Sequence, residues 1–408
     1  SPTGRRRRTR GRRAPPARGP PCCGPPQRAA AAASSARAPR SGRRRPPRLA
    51  ASCRTASAAP TAGPRRGRPP APAAAPAAGA WLALAFFTKF NYALGDRWDT
   101  YLDLQVRSID YTFLGIDNNG NTVDQNADLQ FFNPKVGVQY RTDNNQRAYA
   151  SFAVAQREPN RNDYVGSTPD NRPRPEKLYN LEAGWEKQWT KATVQANFYY
   201  MYYEDQLVLN GQINDVGELL RTNIDESYRT GVELVAGGQL TDGLSLQGNF
   251  TLSRNKVVNF TEFVDEYDAD FNWIGQQAVK REETDLAFSP NILGAAELRY
   301  DFLPQQNRHD LSLALRGKYV GRRFLDNSSD EANSLDPYFF SDWQLQYTVR
   351  PGGLRAIRLN LQVLNWLDEL YESNGWSYRY FLDGESQVLQ GLYPQAGRQL
   401  MLGLGIDF

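Results

Sequence analysis

The last ten residues, Gln399-Leu-Met-Leu-Gly-Leu-Gly-Ile-Asp-Phe408, set the terms on which the rest of the chain is read. Leu400, Leu402, Leu404, Ile406 and Phe408 fall on one face of an extended strand; Gln399, Met401, Gly403, Gly405 and Asp407 fall on the other. Period two is a strand signal, and an apolar face backed by a polar one means that one side meets an apolar medium and the other meets water. The pattern recurs upstream. Ile357, Leu359, Leu361 and Val363 oppose Arg358, Asn360 and Gln362; Leu311, Leu313 and Leu315 oppose Ser312 and Arg316. Leu244, Leu246, Phe250 and Leu252 oppose Ser245, Gln247, Asn249 and Thr251, and Val194, Ala196, Phe198, Tyr200 and Tyr202 oppose Thr193, Gln195 and Asn197.

Thirteen strands are expected, near 86–94, 98–108, 131–141, 146–157, 176–188, 192–204, 226–237, 243–256, 291–302, 308–321, 338–349, 354–365 and 396–408. The connections between them alternate strictly. Short ones are Gly95–Arg97, Thr142–Asn145, Gln188–Lys191, Gly238–Asp242, Leu303–Asn307 and Arg350–Gly353; long ones cover about 109–130, 158–175, 205–225, 257–290, 322–337 and 366–395. One rim of tight turns and one of long loops is the layout of an antiparallel outer-membrane β-barrel, with the short turns periplasmic and the long loops extracellular. A soluble sandwich follows no such rule, and strands of roughly 10–13 residues fit a tilted crossing better than the five or six usual in a soluble sheet. Aromatic residues gather at the expected strand ends, at Trp185 and Trp189, Tyr199–Tyr203, Tyr300 and Phe302, and Tyr338–Phe340, as interfacial girdles require. No run of about 18 apolar residues exists, which excludes a transmembrane helix.

The composition changes abruptly near residue 80. Of the first 80 residues, 65 are Arg, Ala, Pro or Gly, and they include 19 arginines but no acid and none of the 48 aromatics. The net charge of +5 therefore divides into +19 for this segment and −14 for the remaining 328 residues. With Leu49 as its one large aliphatic residue, the segment cannot offset its conformational entropy by burial and is expected to be disordered. Its four dominant residues are those of the most GC-rich codons, the signature of out-of-frame translation; a transit peptide and a basic nucleic-acid-binding arm are the other readings. All three cysteines, Cys22, Cys23 and Cys53, lie here without His or Cys at ligand spacing, and the cysteine-free body suits passage through an oxidising periplasm. The run Ala80–Phe87 is too short to span as a helix and is read as straddling the junction and the first strand. The expected organisation is a disordered, non-native low-complexity segment over 1–85 and a barrel body over 86–408.

Several segments of this body resemble the C-terminal part of TonB-dependent outer-membrane receptors of the Bacteroidetes type. They are Arg157-Glu-Pro-Asn-Arg-Asn-Asp-Tyr164, Arg174-Pro-Glu-Lys-Leu-Tyr-Asn-Leu-Glu-Ala-Gly184, Tyr199-Tyr-Met-Tyr-Tyr-Glu-Asp-Gln-Leu-Val-Leu209, Ser253-Arg-Asn-Lys-Val257, Leu364-Asn-Trp-Leu367 and Tyr393-Pro-Gln-Ala-Gly-Arg-Gln-Leu400. The resemblance implies a 22-stranded barrel filled by an N-terminal plug, with a segment ahead of the plug that contacts the TonB system. Thirteen strands would then be the last thirteen, an incomplete set whose two unpaired edges cost several kcal/mol per exposed backbone group in lipid. It also implies the barrel assembly machinery as a partner, through a C-terminal signal made of Phe408, Ile406 and Gly403, from which Met401 departs.

Little catalytic chemistry is offered. His309, the one histidine, is expected in a turn away from any serine or carboxylate partner, so no enzyme, cofactor or metal site is expected. The acidic run Asp265-Glu-Tyr-Asp-Ala-Asp270 matches no calcium-loop spacing and reads as a solvated loop. Solute contacts are expected from the long loops. Arg157, Glu158, Asn160, Arg161 and Asp163 form a charge-balanced set that could hold a ligand or pin the loop to the rim, and Trp273, Trp376, Tyr378 and Tyr380 could stack on a sugar or siderophore ring or pack the loops. The expected function is TonB-energised uptake of a scarce large solute (siderophore, cobalamin, oligosaccharide or peptide) across the outer membrane. The alternatives are a passive porin or adhesin barrel and, against the −14 of the body, a basic-armed nucleic-acid-binding β-protein.

Overall fold

The computed structural model describes residues 79–113, 125–160, 163–164, 172–213, 219–303 and 308–408. These belong to Pro70–Phe408, the second of two units into which the chain divides. The disorder expected of the N-terminal segment falls outside the described residues up to residue 78, as does Arg161.

Eighteen strands follow one another: β1 (Gly79–Leu94), β2 (Trp98–Phe113), β3 (Gln125–Thr142), β4 (Gln146–Arg157), β5 (Glu176–Gln188), β6 (Ala192–Ile213), β7 (Leu219–Thr241), β8 (Leu244–Tyr267), β9 (Trp273–Asp285), β10 (Ile292–Asp301), β11 (His309–Val320), β12 (Arg323–Phe324), β13 (Ser334–Leu335), β14 (Tyr338–Val349), β15 (Ala356–Leu364), β16 (Glu372–Leu382), β17 (Glu385–Pro394) and β18 (Gln399–Asp407). The main sheet runs β1-β2-β3-β4-β5-β6-β7-β8-β10-β11-β14-β15-β18, thirteen antiparallel neighbours that match the thirteen expected strands one for one. Among the described residues β1 and β18 each have one paired neighbour and do not pair with each other, so the wall stays open.

Four long connections differ from the loops expected of them. The 257–290 stretch carries the upper half of β8 paired with β9, the 366–395 stretch carries the β16–β17 hairpin, and 322–337 carries the short β12–β13 pair. The 205–225 stretch is largely a continuation of β6 and β7, which stay in register to Leu209↔Arg221. These strands stand above the lipid-facing zone, so they lack the long apolar face by which the membrane strands announce themselves. β1 also begins at Gly79, ahead of the expected residue 86.

Register turns the alternation into two surfaces. Leu298, Leu315, Trp343, Val363 and Leu400 are successive cross-strand partners from β10 to β18, and Phe90, Leu102, Val136, Phe152, Leu181 and Tyr200 are partners from β1 to β6. Leu252, Leu315 and Leu400 are 53, 41 and 72 % exposed, part of an apolar belt far larger than a soluble monomer tolerates and suited to lipid. The opposite face is polar and cross-linked by side chains. Gln247 donates to Glu297 (3.3 Å), Arg316 donates to Glu297 (2.5 Å) and to Gln344 (3.2 Å), and Gln344 donates to Asn360 (2.6 Å), a ladder across five adjacent strands. That ladder faces the lumen.

Candidate functional site

Strand parity places the polar ends of β4–β7 on the lumen side of the outer rim. There Ala155 and Arg157 of β4, Glu176 and Leu178 of β5, Tyr203 of β6, and Arg221 and Arg229 of β7 line a cavity of about 680 Å³. The connector from β9 to β10 roofs it with Leu286, Ala287 and Phe288. The connector is held by backbone bonds from Leu286 N to Asn255 O (3.1 Å) and from Phe288 N to Phe324 O (2.9 Å). Phe288 sits at φ +55°, a left-handed conformation that a bulky residue adopts only when its surroundings impose it. Asn327, 1 % exposed, completes the clamp: its Oδ1 accepts from Ala287 N and its Nδ2 donates to Leu209 O, both at 2.8 Å. Behind the cavity, Val208, Ile224, Val257, Phe260 and Leu286 form an apolar core that makes the rim a packed body rather than a fringe of free loops.

The charges in the cavity are unequal. Glu176 is buried and saturated, accepting from Leu207 N (2.7 Å) while pairing with Arg157 Nε (2.7 Å). Arg221 lies 3.9 Å from Asp163, and Arg229 stands 5.8 Å from the centre of the Tyr203 ring.

Of the residues singled out from sequence, Arg157 alone among the described members of its set lines this cavity. Asn160 and Asp163 cap one another, Asn160 N donating to Asp163 Oδ2 (2.8 Å) and Asp163 N to Asn160 Oδ1 (3.1 Å), and Glu158 carries a buried, unpaired Oε2. Three of the four aromatics converge elsewhere, on Asp265. Tyr378 donates to its Oδ2 (2.6 Å), and Trp273 Nε1 (3.2 Å) and Gln276 Nε2 (2.8 Å) donate to its Oδ1. Tyr380 meets Tyr267 edge-on at 5.9 Å and stacks on Tyr378 at 5.8 Å. Burial and the hydrogen bond to Asp265 push the Tyr378 phenol well above its ordinary value. Asp265, read from sequence as part of a solvated acidic loop, is thus the hub of an aromatic cluster; the exposed end of that run, Ala269 and Asp270, forms the turn. Trp376 lies apart, across Gly391 of its hairpin partner.

The β16–β17 hairpin is fixed to the rim by carboxylates. Glu262, 5 % exposed, receives Arg281 (2.9 Å) and lies 3.4 Å from Arg379, which also pairs with Asp330. The Ala332 N–H and Arg379 hold the Asp330 carboxyl below its ordinary range. At the other rim, His309 opens β11 with its Nδ1 2.8 Å from the Tyr347 hydroxyl. Gly403 and Ile406 lie in β18 opposite Asn360 and Ile357, and Phe408 follows the strand, 85 % exposed.

Arg221, Arg229, Glu176, Phe288 and Asn327 escaped the sequence reading. Arg229 carried a signal: it shares parity with Gly231 and Glu233, opposite the lipid-facing Val232 and Leu234.

A lipid-facing belt, a polar lumen and rim loops of this kind define an outer-membrane β-barrel. The TonB dependent receptor-like, beta-barrel family matches residues 55–365, and the chain belongs to it. Solved structures agree in fold. The ferric-catecholate import receptor Fiu from E. coli K12 is 16 % identical with a TM-score of 0.58, covering 81 % of this chain and 45 % of that one. The siderophore receptor PiuA from Acinetobacter baumannii is 14 % identical (TM-score 0.62, 81 % and 44 %), and the copper transporter OprC is 15 % identical (TM-score 0.60, 81 % and 48 %). The chain thus spans less than half the length of these receptors. No curated protein sequence matches it. The family is one of transport receptors rather than enzymes, and its barrels reside in the outer membrane of Gram-negative bacteria.

Proposed function

We propose that this wall belongs to a TonB-energised receptor of the Bacteroidetes type that captures a scarce large solute at its outer rim and admits it through the lumen. The observation that carries this reading is the lumen-facing cavity of about 680 Å³, open to one side and bordered by a connector clamped at Leu286–Phe288. A space of that size, part apolar and part charged, is what a sizeable solute needs. In this reading the thirteen strands are the last of the family's twenty-two, TonB acts through a plug supplied from the N-terminal side, and the surrounding lipid covers the apolar belt. The barrel assembly machinery recognises the strand that ends at Phe408. Neighbours with iron complexes and copper in their names share this fold, so the fold does not choose the solute.

The test is uptake in cells carrying the receptor gene, with and without TonB and with the proton gradient collapsed. Uptake that stops in both conditions supports the reading; uptake that persists assigns a passive porin instead, and binding without entry assigns an adhesin.

A further inference from the structure

We propose that the outer-rim cavity takes an anionic solute with an apolar or aromatic body, and that Arg229 is the residue that reads its charge. The inference rests on the barrel being a solute receptor. Three arginines, Arg157, Arg221 and Arg229, line the cavity against one carboxylate, Glu176. Glu176 is already committed to Arg157 and to the Leu207 amide, each at 2.7 Å, and neutralises neither of the others. Arg221 is 3.9 Å from Asp163, beyond hydrogen-bond distance. Arg229 has no carboxylate within ion-pair distance among the described residues, and its Nε is buried with no hydrogen-bond partner. The Tyr203 ring at 5.8 Å holds the guanidinium by its face without satisfying any N–H.

A desolvated guanidinium N–H without a partner costs free energy, and an incoming carboxylate, phosphate or catecholate oxygen recovers it. The planar fork of arginine suits such two-oxygen groups better than a point charge would. The remaining wall, with Leu178, Leu207, Val208, Leu286 and Phe288, supplies apolar contact for the body of the solute. Placement favours retention at the rim. Arg229 and Phe288 also line the next cavity inward, about 340 Å³, whose carboxylates Glu182 and Glu233 repel an anion. A neutral oligosaccharide can accept from the Arg229 N–H through a hydroxyl but leaves the guanidinium charge uncompensated, and a cationic peptide would be repelled by the arginines.

The purified protein is titrated with two probes of similar size and different charge, the trianionic iron(III) tris-catecholate complex and a neutral iron(III) tris-hydroxamate complex, followed by quenching of tryptophan fluorescence. The wild type is expected to prefer the trianion, with affinity that falls as salt rises. Arg229→Gln is expected to lose about ten- to a hundredfold for the trianion and nothing for the neutral complex, and Arg229→Lys to keep most of the affinity. Equal binding of the two probes, binding of neither, or an Arg229→Gln variant that holds the trianion unchanged would overturn the proposal. Should Arg229→Gln fail to fold, Arg221→Gln and the salt dependence of the wild type decide, and a salt-independent Kd contradicts it. Selective trianion binding in a protein whose uptake ignores TonB would sink the transport reading and leave this one standing.

Discussion

Tyr149 of β4 lies across Gly184 of β5, its direct cross-strand partner: a Cβ added at Gly184 would come within 2.6 Å of the Tyr149 hydroxyl oxygen. The hydroxyl in turn donates to Asn197 on β6 (2.9 Å), so one ring ties three strands on the lumen side. Tyr101 covers Gly137 and Tyr199 covers Gly231 in the same way, each hydroxyl oxygen 2.6 Å from the built Cβ. Each ring fills the space that a glycine leaves in the ladder and protects an otherwise weak strand position.

Gly184→Ala is therefore expected to lower stability by about 1–3 kcal/mol, the usual cost of overpacking a fitted site. Gly231→Ala should cost more, because the built Cβ also meets the Leu252 carbonyl oxygen at 2.7 Å. Gly405→Ala, with its nearest neighbour at 3.9 Å, is the matched control and should be close to neutral. Urea unfolding of the three variants in one detergent gives the ranking directly.

The rim joint around Glu262 should be the most sensitive polar site in the loops. Glu262→Gln leaves Arg281 without its carboxylate and Arg379 with Asp330 alone, a loss of about 1–3 kcal/mol for an unmade bond to a charged group. The cost is local, so the expected signature is rapid protease cleavage in the β16–β17 hairpin while the membrane strands stay resistant. Adding Arg281→Met should restore part of the resistance by removing the cation left without its carboxylate, since Arg379 keeps Asp330.

Acid should release the same hairpin. The Asp330 carboxyl is held below its ordinary value of 3.8 by the Ala332 N–H and by Arg379, so its contribution is complete above pH 3.8 and is lost as pH falls from there through the depressed value. At the alkaline end, the raised Tyr378 phenol favours the docked hairpin below pH 10, and that preference declines as pH climbs above 10. Limited proteolysis across the pH range should show a resistant plateau between these limits; Asp330→Asn should remove much of the acid edge.

Phe408→Ala separates assembly from packing. The residue is 85 % exposed and makes little of the fold, yet it ends the strand read as the assembly signal. The expected result is slower delivery to the outer membrane with unchanged unfolding of the protein that arrives. Gly403→Ala, whose built Cβ has ordinary contacts at 3.8 Å, should report on recognition for the same reason.

The membrane strands were legible because lipid on one side and water on the other write period two into β8, β15 and β18. Above the rim that pressure vanishes. β16, with Trp376, Tyr378 and Tyr380 alternating with Ser377 and Arg379, carries the right spacing, but its aromatics looked like loop residues because no aliphatic face accompanied them. Asp265 was invisible as a hub because its partners Trp273 and Tyr378 reach it through a hairpin and through a contact 113 residues distant in sequence. The arginine cavity was half visible: lumen parity marks Arg157 and Arg229, but their convergence depends on how β4 to β7 curve and on a connector from β9 that folds back over them.

The claim that most needs testing is that this chain forms a barrel wall with lipid on one face and water on the other. Single cysteines at Arg358, Leu359, Asn360, Leu361, Gln362 and Val363 of β15, in a background lacking Cys22, Cys23 and Cys53, give the direct measurement. In outer membranes, a membrane-impermeant maleimide is predicted to label positions 358, 360 and 362 after the protein is opened to the lumen, and a lipid-borne quencher to reach 359 and 361, with the buried position 363 shielded from both. Aqueous labelling of all six positions alike would contradict the account.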